Sequence, residues 1–252
     1  MPNIWLLSDS IMRLAEATGA EPVIYTEGLP DPRGKIKIGQ VLKAIERKIG
    51  TAIDFPNPFP NEFGIRTSRG VASYRTFQAI YQAWRLLCLS RTIGPRVVEI
   101  GPGLGRTAYY ARRFGLLNYT TIDLPLGNIA QACFLSRALG EDALALPGES
   151  AQVGQIRIET PSWFLATNEK FDIALNVDSM TEMSFDNANA YAEKIVATSS
   201  VFVSINHEVN SFKTADLPAL KSLSGQRFPY WMRKGYVEDL YINRTPNQYR
   251  GE

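Results

Sequence analysis

One stretch constrains this chain more than any other: Val97-Val98-Glu99-Ile100-Gly101-Pro102-Gly103-Leu104-Gly105, an apolar strand running straight into three glycines spaced by single residues. A strand, a glycine turn and the start of a helix (Thr107 to Phe114) present backbone N–H groups and a positive helix end to a ligand that the glycines let come close. Asp123 follows 22 positions after Gly101, at the end of a second apolar run, Tyr119-Thr120-Thr121-Ile122. That spacing puts a carboxylate at the tip of the neighbouring parallel strand, where it can accept hydrogen bonds from ribose hydroxyls. The chain is therefore built to cradle a nucleotide-type cofactor.

Two cofactor classes use such a turn. A dinucleotide fingerprint requires a small residue five positions after the first glycine, and Arg106 stands there. Glu99, two positions before Gly101, places a carboxylate where it can orient a cationic amino-acid head group, and Tyr109-Tyr110 follow in the helix. The pattern apolar-apolar-Glu-Ile-Gly-x-Gly-x-Gly resembles motif I of class I S-adenosylmethionine-dependent methyltransferases. That resemblance implies S-adenosylmethionine as cofactor, held by Glu99, Gly101, Gly103, Gly105, Asp123 and Leu124. A nicotinamide-dependent oxidoreductase is the rival enzyme reading, and a non-catalytic module that binds S-adenosylmethionine is the rival outside enzymes.

Composition narrows the partners. The 252 residues are 45% hydrophobic, enough for a sizeable core. A formal charge of +2, from 27 basic and 25 acidic residues, gives no basic patch for nucleic acid and favours a small or neutral substrate. Cys88 and Cys133 sit in apolar helical settings and read as buried thiols of a reducing compartment. No metal-ligand spacing occurs. Ile4-Trp5-Leu6-Leu7 is too short for a secretory core, and Val201-Phe202-Val203-Ser204-Ile205 stops at strand length, so no membrane span and a cytoplasmic location are expected.

Residues 1–92 show no strand–helix alternation and read as an N-terminal helical extension, with helices near Ile11 to Ala17, Ile38 to Ile49 and Val71 to Leu87. Prolines 56, 58 and 60 force an extended segment between them, read as a surface connector or a lid whose aromatics cover the cleft. Tyr74, Phe77, Tyr81 and Trp84 form a core stripe on the third helix. Thr67-Ser68 look like its cap, with Arg69 beside them as a candidate for the cofactor carboxylate or for a substrate anion. Residues 93–252 alternate strands and helices, which implies an α/β, doubly wound, mostly parallel Rossmann-like sheet. Tyr236 to Ile242 is expected as a late antiparallel strand at its edge.

Ligands of such sheets bind beyond the strands' carboxyl ends. One strand end carries Asn176-Val177-Asp178-Ser179-Met180-Thr181-Glu182-Met183: Asn176 or Asp178 could bind the cofactor's amino group and Glu182 an acceptor hydroxyl. The alternative is that Asp178-Ser179 caps the next helix. Another ends Ser204-Ile205-Asn206-His207-Glu208, and His207 is the single histidine, a candidate general base with Glu208 or Asp178 orienting its second nitrogen. With the glycine turn and Ile122-Asp123-Leu124-Pro125, these elements resemble the sugar O-methyltransferase family of bacterial glycan pathways over residues 65–245. The resemblance implies a class I fold and a saccharide hydroxyl as methyl acceptor.

Overall fold

The computed structural model describes residues 4–23, 37–90 and 92–243. Positions 24–36 of the N-terminal extension and 244–252, including the last two positions of the 65–245 resemblance, lie outside the described residues. In chain order come helices α1 (Ile4–Ala17) and α2 (Ile38–Ile49), a hairpin of β1 (Ile65–Thr67) and β2 (Gly70–Ala72), and α3 (Tyr74–Leu89). The alternating part follows: β3 (Arg96–Ile100), α4 (Arg106–Arg113), β4 (Asn118–Ile122), α5 (Pro125–Leu139), β5 (Leu144–Ala145), β6 (Ile156–Glu159), α6 (Pro161–Ala166), β7 (Phe171–Val177), α7 (Phe185–Thr198) and β8 (Ser199–His207). Two more strands, β9 (Ser224–Pro229) and β10 (Tyr236–Ile242), complete the sheet.

Eight strands lie in the order β5-β6-β4-β3-β7-β8-β10-β9. All neighbours are parallel except β10, which runs against both β8 and β9. This is the Rossmann-like, mostly parallel sheet with flanking helices that the strand–helix alternation implies. The antiparallel strand is present as expected but not at the edge: β9 lies outside it, an exposed strand whose Ser-Gly-Gln-Arg-Phe-Pro sequence has no apolar alternation.

Side chains alternate across this sheet and sort the core into two layers. Val97, Tyr119, Ile173, Leu175 and Val203 face α3, α4 and α5 and share one apolar cluster with α1 and α2. Val98, Ile100, Ile122, Ala174 and Phe202 face the other way, onto α6 and α7. Phe77 and Ile80 of α3 are fully buried, each adding about 1.5–3 kcal/mol through apolar burial. The aromatic stripe of α3 is thus core at Phe77 and Tyr81 and partly buried at Tyr74 and Trp84.

Three local expectations need correction. Helix α1 starts at Ile4, not near Ile11. The polar Ser8-Asp9-Ser10 does not break it, because the Ser10 hydroxyl donates to Leu6 O and Asp9 pairs with Arg13 one turn on. The third helix begins at Tyr74 and is capped by Ser73, whose side chain accepts from Thr76 N–H. Thr67-Ser68-Arg69-Gly70 is instead the hairpin turn, closed by Thr67 Oγ1, which accepts from Arg69 N–H and donates to Gly70 O. Finally, Cys88 and Cys133 are both free and exposed, on helix faces turned away from the core.

Candidate functional site

Beyond the carboxyl ends of β3 and β7 opens a cleft of about 780 Å³, a size suited to small-molecule ligands. Its floor is the glycine turn. Gly101 has φ +71°, and a Cβ there would lie 2.3 Å from the Ser179 hydroxyl, so a strand end and the β7 loop meet at a contact only glycine permits. Gly103 has φ +59° but open space where its Cβ would be, with nothing within 4 Å. The turn thus closes on protein at Gly101 and stays open toward the cleft at Gly103.

Glu99 is buried on the wall of this cleft, and its carboxylate accepts the Tyr119 hydroxyl at 2.9 Å. Burial pushes its carboxyl up to about 7, against the Tyr119 hydrogen bond, which favours the charged form. Asp123, half-buried at the tip of β4, accepts Gly103 N–H at 3.2 Å and Leu124 N–H at 2.7 Å. Burial raises its carboxyl and these two hydrogen bonds oppose the shift. Leu124 beside it is exposed, as is Leu126. Glu99, Gly101 and Gly103 therefore line one concave surface, and Asp123 adjoins it through its hydrogen bond to Gly103 N–H.

Asp178 also lines the cleft, in the left-handed conformation (φ +58°) that is costly for a residue with a side chain. Its Oδ2 accepts the Tyr236 hydroxyl at 2.6 Å and faces Arg233 Nη1 at 3.5 Å. Burial and the Asp178 carboxylate both hold the Tyr236 phenol well above its ordinary range, so it stays a donor. Glu182 lines the same end from the turn after β7. Asp178-Ser179 does not cap the next helix; Ser184 does, accepting from Asn187 N–H.

The structure draws other candidates away. Asn176 is completely buried and saturated: its Nδ2 donates to Ile100 O and Ser179 Oγ, and its Oδ1 accepts from Asn206 Nδ2 and Met180 N–H. It ties β3, β7 and β8 together and has no group left for an amino head. Arg69 pairs with Glu46 and donates to Ile53 O at 3.0 Å, in the hairpin region and off the cleft. His207 packs against Tyr236 with ring centroids 4.9 Å apart and does not line the cleft. Its Nδ1 accepts Val209 N–H at 3.2 Å, which leaves the neutral ring protonated on Nε2 with no lone pair for a substrate proton. Neither expected carboxylate orients it: Glu208 pairs with Arg227 and Lys213, and Asp178 serves Tyr236 and Arg233. The proline segment is extended, its Phe55 bridging to Gly70 of the hairpin. None of its aromatics lines the cleft, which it touches only through Glu62, paired with Arg106 at 2.8 Å.

Sequence reasoning missed one whole wall. Arg75, Gln78 and Gln82 of α3 face the cleft, joined by Arg106, Thr107 and Arg233. Gln82 is fully engaged, donating to the Tyr230 hydroxyl at 3.1 Å and accepting Thr107 Oγ1–H at 2.6 Å. The signal was present as polar residues at positions 75, 78 and 82 of a helix whose other faces are apolar, a helical spacing of its own.

No protein-family model matches the chain, and no curated protein does. Among solved structures, the PH0226 protein of Pyrococcus horikoshii aligns with 74% of this chain and 96% of its own, at 11% identity and a TM-score of 0.52. The magnesium protoporphyrin IX methyltransferase of Synechocystis, solved with bound S-adenosylhomocysteine, covers 67% of this chain and 84% of its own, at 11% identity and a TM-score of 0.49. Against the mitomycin 7-O-methyltransferase MmcR the alignment covers 66% of this chain, 13% identical with a TM-score of 0.47, and spans only 54% of that protein's length. At such identities the likeness is one of fold.

Proposed function

We propose that this protein is an S-adenosylmethionine-dependent O-methyltransferase that methylates a hydroxyl of a sugar or glycosylated small molecule in the cytoplasm. The observation that carries the reading is one cleft lined by buried Glu99 and by the glycine turn left open at Gly103, with the Asp123 carboxylate bonded to the N–H of that same glycine. These residues fit the cofactor. Glu99 offers a desolvated carboxylate for its ammonium, the turn at Gly103 lets its chain approach, and Asp123 offers a carboxylate for ribose hydroxyls. The cofactor supplies an electrophilic methyl group on a sulfonium. Asp178 then acts on the acceptor: Tyr236 and Arg233 both occupy Oδ2, which leaves Oδ1 to take the hydroxyl proton as the new O–C bond forms. Glu182 holds a second acceptor hydroxyl from the neighbouring turn.

Calorimetry with S-adenosylhomocysteine and NAD(P), followed by mass-spectrometric turnover on sugars, nucleotide sugars and RNA, tests this. S-adenosylhomocysteine should bind, and Asp123→Ala should weaken it by about 1.5–3 kcal/mol, roughly 10- to 150-fold. Asp178→Asn should lower turnover by about 10²–10⁴-fold with cofactor affinity nearly unchanged, while His207→Gln should stay within a few-fold of wild type. Binding of NAD(P) in place of S-adenosylhomocysteine, or methylation of RNA alone, would overturn the reading.

A further inference from the structure

The polar face of α3 holds two groups that the cofactor reading does not use. Gln78 is nine-tenths buried, lines the cleft and has no hydrogen-bond partner among the described residues. Its amide group therefore reaches the cleft with donor and acceptor uncommitted to protein, ready for a group arriving there. One turn away stands Arg75, whose guanidinium lies over the Tyr74 ring at 5.6 Å and has no carboxylate partner among the described residues. The other two arginines of the cleft differ, since Arg106 is paired with Glu62 and Arg233 faces Asp178. Gln82, bonded to Thr107 beside the glycine turn, marks the cofactor end of this helix face. Arg75 lies seven residues away along the helix, about 10 Å, and helical side chains lean toward the N-terminus, which carries its head further from the turn.

We propose that Arg75 and Gln78 bind an anionic group, carboxylate or phosphate, on the methyl acceptor, so that the substrate is an acidic saccharide. The guanidinium supplies charge and a two-pronged donor, and the Gln78 amide supplies a neutral hydrogen bond to the same group or its neighbour. The assignment rests on the methyltransferase reading of the cleft.

The test uses the full-length protein saturated with S-adenosylhomocysteine and acceptors paired so that they differ only in the anionic group: glucose with glucuronate, galactose with galacturonate, glucose with glucose 1-phosphate. Calorimetry reads binding, and mass spectrometry with S-adenosylmethionine reads turnover. The wild type should prefer the anionic member at least tenfold. Arg75→Met should abolish that preference while the S-adenosylhomocysteine dissociation constant stays within about threefold, and Gln78→Leu should narrow it. A preference confined to the uronates assigns a carboxylate, and one confined to the sugar phosphate assigns a phosphate. Equal affinity within every pair, or no binding of any anionic member, overturns the proposal. A tenfold loss of S-adenosylhomocysteine affinity in Arg75→Met also overturns it, by giving the guanidinium to the cofactor's own carboxylate, and leaves the methyltransferase reading intact. Failure of the wild type to bind S-adenosylhomocysteine at all is instead the failure of that reading.

Discussion

A carboxyl group held near neutrality by burial makes Glu99 a proton-linked contact. Its folded-state value is about 7 against 4.5 outside the fold. A raised carboxyl stabilises the protonated folded state, so its full contribution is present below pH 4.5 and is lost as pH rises through about 7, a swing of about 3 kcal/mol for the free protein. Pairing with a cofactor ammonium needs the charged form. Affinity for S-adenosylhomocysteine should therefore rise up to about tenfold per pH unit below 7 and level off above it, with Glu99→Gln flattening the profile; a pH-independent wild type would count against the pairing. At Gly103 the expected outcome is simpler. Alanine there meets no neighbour, so the fold should lose only about 1–2 kcal/mol to the left-handed backbone while cofactor binding falls at least tenfold, as calorimetry and denaturation together would report. The placement of Glu99, the glycine turn and Asp123 was legible because one local β3–turn–α4–β4 unit fixes their spacing. Tyr236 and Arg233 were not, since only β10 and the turn before it bring them to Asp178, more than fifty positions away. The choice of His207 shows a different limit: sequence places a side chain at a strand end but does not reveal which ring lone pair a backbone N–H will occupy.

At the scale of elements, α3 is a wall of the cleft and a core helix at once, and a buried network pins it to β10. Arg85 pairs with Glu238 at 2.8 Å, and Tyr81 donates to the same carboxylate at 3.1 Å. Burial first, and then the Glu238 carboxylate, hold the Tyr81 phenol far above its usual range, with Arg85 opposing them. Removing Arg85 strands a buried carboxylate, so Arg85→Ala should destabilise by about 2–4 kcal/mol in chemical denaturation, and Arg85→Met with Glu238→Gln should recover most of it. Strands β3, β4, β6, β7, β8 and the antiparallel β10 could be read from apolar runs alone, whereas the two-residue β5 is too short to leave such a run. Strand β9 could not, because both its faces are exposed and it forms only by pairing with β10.

The apolar cluster that includes α1, α2 and α3 continues without interruption into the sheet, across the boundary that alternation places at residue 92. We expect one cooperative thermal transition, with S-adenosylhomocysteine at 100 times its dissociation constant raising the midpoint by about 5–10 °C for the whole molecule. A separate, ligand-insensitive transition of the N-terminal helices would refute this. Strand β10 gives that continuity an order in time. It supplies Tyr236 to Asp178 and Glu238 to α3, partners made some 60 and 150 positions earlier. During synthesis the helical wall can pack on α1 and α4 early but must wait for its Glu238 anchor until nearly all of the described chain has been made. A nascent chain stalled before Tyr236 thus has its glycine turn in place but Asp178 without its hydroxyl partner, so the acceptor end of the cleft is completed last.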